Sequence, residues 1–230
     1  MRLDEITSET FAKSVGNATV ILPLGATESH GPHLPLGTDT FQPEYVVSEI
    51  NKRFGNKVII APTLPYGQHS TAKNVPGTID ITFDTLRSVI RDILKAFIRH
   101  GTKKVIIISG HAGTSHMTAV TEACRETVED NAVNITFFSD FQIAADLGLP
   151  GTENDGHAGL METSRMLHIR PDLVKEKRPS GTYKECNYRV LRDASECLPS
   201  GVAGETKGST AELGKKINDR IIEEIGKMIQ

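Results

Sequence analysis

The feature that most constrains this chain is a set of four short runs that are apolar at nearly every position rather than at alternate ones. They are Ala18 to Leu24 (ATVILPL), Lys57 to Ala61 (KVIIA), Lys104 to Ser109 (KVIIIS) and Asn134 to Phe138 (NITFF). A strand with one wet face alternates apolar and polar residues, whereas a strand covered on both faces does not. Stretches of helical period lie around the runs. Thr40 to Arg53 places Phe41, Tyr45, Val46 and Ile50 on one stripe. Thr82 to His100 does the same with Leu86, Val89, Ile90, Ile93, Leu94 and Phe97, and Gly101 is a natural stop. Ser115 to Asp130 and Leu213 to Ile229 are two more amphipathic helices. Strands alternating with helices predict an α/β fold: a three-layer sandwich whose mostly parallel sheet carries helices on both faces. At 230 residues, one domain spanning 1–230 is expected. Only 5% of residues are aromatic and Trp is absent, so the core must be built from Ile, Val, Leu and Ala. Arg178 to Thr210 has little periodicity and reads as a long loop region with a hairpin.

In parallel α/β sheets, ligands bind beyond the carboxyl ends of the strands, so the residues that follow each run matter most. After the first run comes Gly25-Ala26-Thr27-Glu28-Ser29-His30-Gly31-Pro32-His33-Leu34-Pro35-Leu36-Gly37-Thr38-Asp39. Its Gly and Pro content makes it a loop. It carries two carboxylates and two imidazoles within a dozen residues, the mixture that Zn²⁺, Mn²⁺ or Fe²⁺ requires. In an extended chain Glu28 and His30 project to the same side. Asp39 returns at the start of the next helix, where a carboxylate can bridge two cations. After the third run, Ser109-Gly110-His111-Ala112-Gly113 sets His111 at a strand-to-helix turn. Further on, Asp155-Gly156-His157-Ala158-Gly159-Leu160-Met161-Glu162 again puts a His and carboxylates around a glycine-rich turn that leads into a helix. Convergence of three strand ends on one ligand chemistry carries the metal reading. His100, His116 and His168 stand alone and are expected at the surface.

Other classes fare worse. The net charge is -3 with no Lys/Arg run, which argues against nucleic acid and anionic membranes as partners. No stretch is apolar enough to span a bilayer. The polar start, MRLDEITSET, has no signal-peptide core, so the cytoplasm is the expected compartment. Cys124, Cys186 and Cys197 are odd in number and irregularly spaced, a poor disulfide framework.

At these residues the chain resembles the creatininase (creatinine amidohydrolase) family. The likeness runs through Leu22 to Asp39, Pro76-Gly77-Thr78, Ser109 to Gly113, and His157-Ala158-Gly159 with Glu162-Thr163-Ser164. It implies a three-layer α/β hydrolase that opens amide bonds, often cyclic ones. It also implies two divalent metal ions per chain, Zn²⁺ ahead of Mn²⁺ or Fe²⁺, a small-molecule amide substrate and a homo-oligomer, a hexamer. Carried over residue by residue, Glu28 and His30 look like ligands of different metals, Asp39 like the bridge, and His111 like a further ligand. His157 is similar to the family's catalytic histidine, with Asp155 or Glu162 as candidates to orient it. Creatininases proper place a glutamate two residues after the His that matches His111. Here Gly113 stands there, and Glu162 takes over as the fifth ligand. Relatives within the family act as deformylases on a formylamino-pyrimidine nucleotide or as peptidases in cofactor maturation. Two readings compete with an amidohydrolase that uses water activated between two metals. A two-metal phosphoesterase uses the same ligands, but Lys and Arg are sparse around them. A non-catalytic metal- or ligand-binding protein is kept open by Gly113.

Overall fold

A computed structural model describes residues 1–146, 148, 155–184, 186 and 189–229. Four strands form one sheet: β1 (Thr19–Leu24), β2 (Val58–Ile60), β3 (Lys104–Ser109) and β4 (Asn134–Ser139). Their order is β2-β1-β3-β4, and every pairing is parallel. The helices are α1 (Ser8–Ser14), α2 (Thr38–Phe54), α3 (Phe83–Arg99), α4 (Thr114–Asp130), α5 (Asp140–Asp146), α6 (Leu160–Ile169) and α7 (Ala211–Ile229). The four apolar runs are the four strands, and the four predicted amphipathic stretches are α2, α3, α4 and α7. The short helices α1 and α5 have two turns or fewer and too few residues to display a period.

The unbroken apolar runs have a simple cause. Successive side chains of each strand enter different cores. Val20, Leu22, Leu24, Ile59, Val105 and Ile107 pack under Leu86, Ile90 and Leu94 of α3 and Ala119, Val120 and Ala123 of α4. Ile21, Val58, Ile60, Ile106 and Ile108 pack on the opposite face, against Val46, Val47 and Ile50 of α2 and Ile217, Ile221 and Ile225 of α7. The result is the predicted α/β sandwich. Pro23 sits inside β1, where a missing N–H would ordinarily break a ladder. Its carbonyl accepts from Leu64 N–H, so it faces the side where β2 has already ended at Ile60.

Two expectations need correction. Arg178 to Thr210 forms no hairpin ladder among the described residues. It makes isolated antiparallel bridges, Gly181 with Gly204 and His157 with Ala203, and a 3-10 turn at Ala194–Cys197. Cys186 and Cys197 are joined as a disulfide, with Cα atoms 6.3 Å apart, within the usual span. The irregular spacing concealed this because the loop folds back on itself, with Lys184 N–H donating to Cys197 O. Among the described residues, no helix is long and apolar enough to cross a membrane.

β2 lies on one side of β1 and β3 on the other, so the strand order reverses at β1. The crevice at such a reversal of strand order lies beyond the carboxyl ends of β1 and β3, where the Gly25–Asp39 loop and His111 sit. Behind it, a buried ion pair ties α5 to α6: Arg165 Nη2 lies 2.6 Å from Asp140 Oδ2, and Arg165 Nε donates to Asn218 Oδ1 of α7 at 2.8 Å. Arg165 and Asp140 are both buried. Arg165→Ala would strand the Asp140 carboxylate without a cation and should cost about 3–5 kcal/mol, read as a lower urea midpoint. An unchanged midpoint would show that the pair does not hold these helices.

Candidate metal centre

The loop after β1 is shaped by backbone bonds rather than by regular structure. Glu28 N–H donates to Leu36 O at 2.9 Å, and Ser29 N–H donates to Thr78 Oγ1 at 3.1 Å. Thr78, from the Pro76-Gly77-Thr78 segment, thus clamps the strand of loop that bears Glu28 and His30. Asp39 enters from the first turn of α2. That turn lies hard against the end of β3. A Cβ at Gly110 would stand 2.0 Å from Asp39 O, so only glycine can precede His111.

The structure brings Glu28, His30, Asp39, His111, His157 and Glu162 together in one crevice. Glu28, His30, Asp39, His111 and Glu162 are buried and His157 is half-buried. The two oxygens of Asp39 face different imidazoles. Oδ1 lies 2.9 Å from His30 Nε2, and Oδ2 lies 3.1 Å from His111 Nδ1. Glu28 Oε2 is 3.0 Å from the same His111 Nδ1, and Glu162 Oε2 is 3.8 Å from the same His30 Nε2. Two ligand sets therefore share Asp39: His30 with Glu162 on one side, His111 with Glu28 on the other. The other nitrogen of each ring is held by a backbone carbonyl. His30 Nδ1 pairs with Glu28 O at 3.1 Å, and His111 Nε2 with Gln68 O at 3.2 Å. Such bonds fix which nitrogen faces the centre, the usual outer support of a metal-binding imidazole.

The donor set fits divalent cations. Glu28 Oε2, His30 Nε2 and Asp39 Oδ2 are buried and make no aligned hydrogen bond, although Glu28 Oε2 and Asp39 Oδ2 stand 3.0 and 3.1 Å from His111 Nδ1 and His30 Nε2 stands 2.9 Å from Asp39 Oδ1. Buried polar atoms rarely go unsatisfied. Three overlapping groups satisfy ligand spacing: His30 with Asp39 and Glu162, Glu28 with His69 and His111, and Glu28 with His30 and His157.

Two residues, His116 and Asp155, behave differently from the sequence reading. His116 is buried, not at the surface. Its Nδ1 accepts from Gln68 N–H at 3.4 Å and its Nε2 donates to Ser109 Oγ at 3.1 Å. Ser109 Oγ in turn donates to His111 O at 2.7 Å, so His116 braces the backbone on both sides of the His111 ring. Burial, reinforced by neighbouring His111, pushes its pKa down to about 3 and keeps it neutral. Asp155 does not reach His157. Its oxygens accept from Leu160 N–H at 3.1 Å and Met161 N–H at 2.6 Å, capping α6. His69 lies in the crevice with its Nδ1 3.3 Å from Glu28 Oε1. By contrast, His33 turns away, with Nε2 at 2.9 Å from Thr163 Oγ1 of α6. His100 is exposed as expected, and His168 is half-buried against Tyr45 Oη at 3.0 Å.

Gly113 also has a local cause. A Cβ there would lie 2.6 Å from His111 Nε2, so the turn has no room for a side chain while the ring keeps this pose. The third carboxylate comes instead from α6. Glu162 Oε2 is fixed by Ala158 N–H at 2.5 Å, and Ala158 adopts φ 55°, a left-handed conformation rare for alanine. Strain of this kind gathers at functional sites.

Without cations, protons perform the compensation. Burial opposes the charge on His111, yet Glu28 and Asp39 outweigh it and hold its pKa up to about 10. His30 is likewise raised well above its ordinary value, against burial, by Asp39 and Glu162. Burial would raise Asp39, but His30 and His111 bring it down to about 2.

The sequence profile of the creatininase family, creatinine amidohydrolase, matches residues 4–229. Creatinine amidohydrolase of Pseudomonas putida is 28% identical, over 94% of this chain and 90% of that protein. A mycofactocin precursor peptide peptidase of Mycolicibacterium smegmatis is 30% identical, over 86% of this chain and 78% of that protein. A solved structure of creatininase with Mn has the same fold, with a TM-score of 0.88 at 24% identity over 99% of this chain and 96% of that one.

A cation and a proton compete for the same ring nitrogens. His30 and His111 carry protons in the metal-free chain at pH 7, since their folded pKa values lie above it. Metal uptake at pH 7 should therefore release protons, and apparent affinity should climb as pH rises toward about 10. Calorimetric titration in two buffers of different ionisation enthalpy measures this. Identical heats in both buffers would mean that the rings are already neutral.

Proposed function

Because the chain belongs to the creatininase family, we propose that it is a metal-dependent hydrolase that cleaves a carbon–nitrogen amide bond of a small, uncharged substrate. One observation carries the reading: Asp39 presents one oxygen to His30 and the other to His111, so one buried carboxylate serves two ligand sets. Glu28, His111 and Asp39 would hold one ion, and His30, Asp39 and Glu162 the other. Two divalent cations supply Lewis acidity, which brings the pKa of water toward neutrality and polarises a carbonyl oxygen. Zn²⁺, Mn²⁺ and Fe²⁺ all accept this mixture of imidazole and carboxylate.

The chain's own residues handle the proton. His157 lines the crevice, and its ring centroid is 4.3 Å from that of His30. Its Nε2 lies 2.9 Å from Ser29 O, which can only accept, so Nε2 carries a hydrogen and Nδ1 is left to take one. Nδ1 would receive the proton given up by the attacking water and pass it to the departing nitrogen. The tie to Ser29, next to Glu28 and His30, keeps this base in register with the ligands.

The crevice has a volume of about 500 Å³, the scale of a small-molecule site. Hydroxyls of Ser70, Thr71 and Thr114 line it together with the apolar surfaces of Phe141, Tyr183 and Leu198. Among the described residues, no Lys or Arg lines it. That supports an uncharged amide over a phosphate ester, whose oxygens call for cationic clamps.

His157→Ala should lose most of kcat, about 10²–10⁴-fold, on a panel of cyclic amides, formamides and short peptides, while elemental analysis still finds a full metal complement. Loss of metal together with activity would make His157 a ligand. Asp39→Ala should empty both metal positions. Retention of two ions per chain would refute the bridge.

A further inference from the structure

His69 is a buried titratable residue that the reaction above does not use. It follows β2, in a loop whose backbone is firmly held. Its N–H donates to Asp80 Oδ1 at 2.7 Å, and its carbonyl accepts from Gln68 Nε2 at 3.0 Å. The bridge between Gly67 and Asp80 closes the same loop. The main chain is thus satisfied, yet the side chain is not. The ring is 1% exposed, and neither Nδ1 nor Nε2 has a hydrogen bond. A histidine with both nitrogens unpaired and no access to water is costly to keep.

The ring is aimed at the metal centre. Glu28 stands between two imidazoles, with Oε1 3.3 Å from His69 Nδ1 and Oε2 3.0 Å from His111 Nδ1. The two rings are 4.7 Å apart between centroids. Glu28, His69 and His111 each offer one ligand atom within 4.8 Å of the others. We propose that His69 is a metal ligand, joining Glu28 and His111 on the ion that these two residues hold. The assignment rests on the two-metal reading above.

It makes the two positions unequal. The ion on the Glu28 side would have Glu28, His69, His111 and one oxygen of Asp39, a full set for a closed position. The ion on the His30 side would have His30, Glu162 and the other oxygen of Asp39, and so keeps a position open. Closed sites hold a metal in place, and open sites accept water or substrate. His157 belongs to the open side, since its ring stacks near His30. His69 would govern retention of the ion on the Glu28 side.

Co²⁺ added to chelator-treated protein tests this, because its visible bands report coordination directly. The wild type should take up two Co²⁺. H69A should bind one of them at least about tenfold more weakly, with altered visible bands, and added imidazole should restore both. H69Q separates ligation from hydrogen bonding, since its amide can donate to Glu28 but replaces an imidazole ligand poorly. If His69 is a ligand, H69Q behaves like H69A. If H69Q matches the wild type, His69 merely orients Glu28 and the proposal fails. It also fails if H69A keeps both affinities and an unchanged spectrum. A wild type that binds fewer than two Co²⁺ would overturn the two-metal reading itself, a result seen before any variant is made.

Discussion

The centre depends on one close approach: the first turn of α2 lies directly on the carboxyl end of β3. Gly110 permits it, because the carbonyl of Asp39 occupies the space a side chain would need. This contact sets the Asp39 carboxylate between His30, which comes from the loop after β1, and His111, which follows β3. Neither imidazole could share that carboxylate if the helix began one turn later or stood a few ångströms off the sheet. The parallel order β2-β1-β3-β4 does the rest, by making β1 and β3 neighbours at the point where the chain reverses direction across the sheet. Two sequence segments some seventy residues apart thereby become one site.

Most of this was legible in the chain. Runs such as KVIIIS identify strands covered on both faces because each neighbouring side chain enters a different core. Loop residues after those runs identified Glu28, His30, Asp39 and His111, because sheet topology forces strand ends to converge. What escaped notice depends on distance rather than on pattern. His116 looked like a solitary surface residue. It lies on α4, however, and meets Gln68 and Ser109 from other elements, so no local spacing could show its brace. Asp155 was a candidate to orient His157, but its carboxylate goes to the free backbone N–H groups at the start of α6. The Cys186–Cys197 pair was hidden by a loop whose fold has no period to read.

Electrostatics explains why so many charges can share a buried crevice. Three carboxylates, those of Glu28, Asp39 and Glu162, cannot remain ionised in an apolar interior without positive partners. In the metal-free chain the partners are protons on His30 and His111. Were cations to replace those protons, as proposed above, the rings would become neutral ligands and the carboxylates would keep their charge. The same groups thus balance the site in both states, which lets the fold exist before metal arrives.

Gly113 stands where creatininases proper place a glutamate, and the packing of its turn accounts for the glycine. With the His111 ring placed where it faces both Glu28 and Asp39, the position two residues on has no room for a side chain. The carboxylate that approaches His30 comes from α6 instead, fixed by the amide of a strained Ala158. Arg165 and Asp140 are paired and buried behind the helix that delivers Glu162. On the reading proposed above, Glu162 of α6 supplies the carboxylate that Gly113 cannot. The site then depends on the orientation of α6 as much as on the loop after β1.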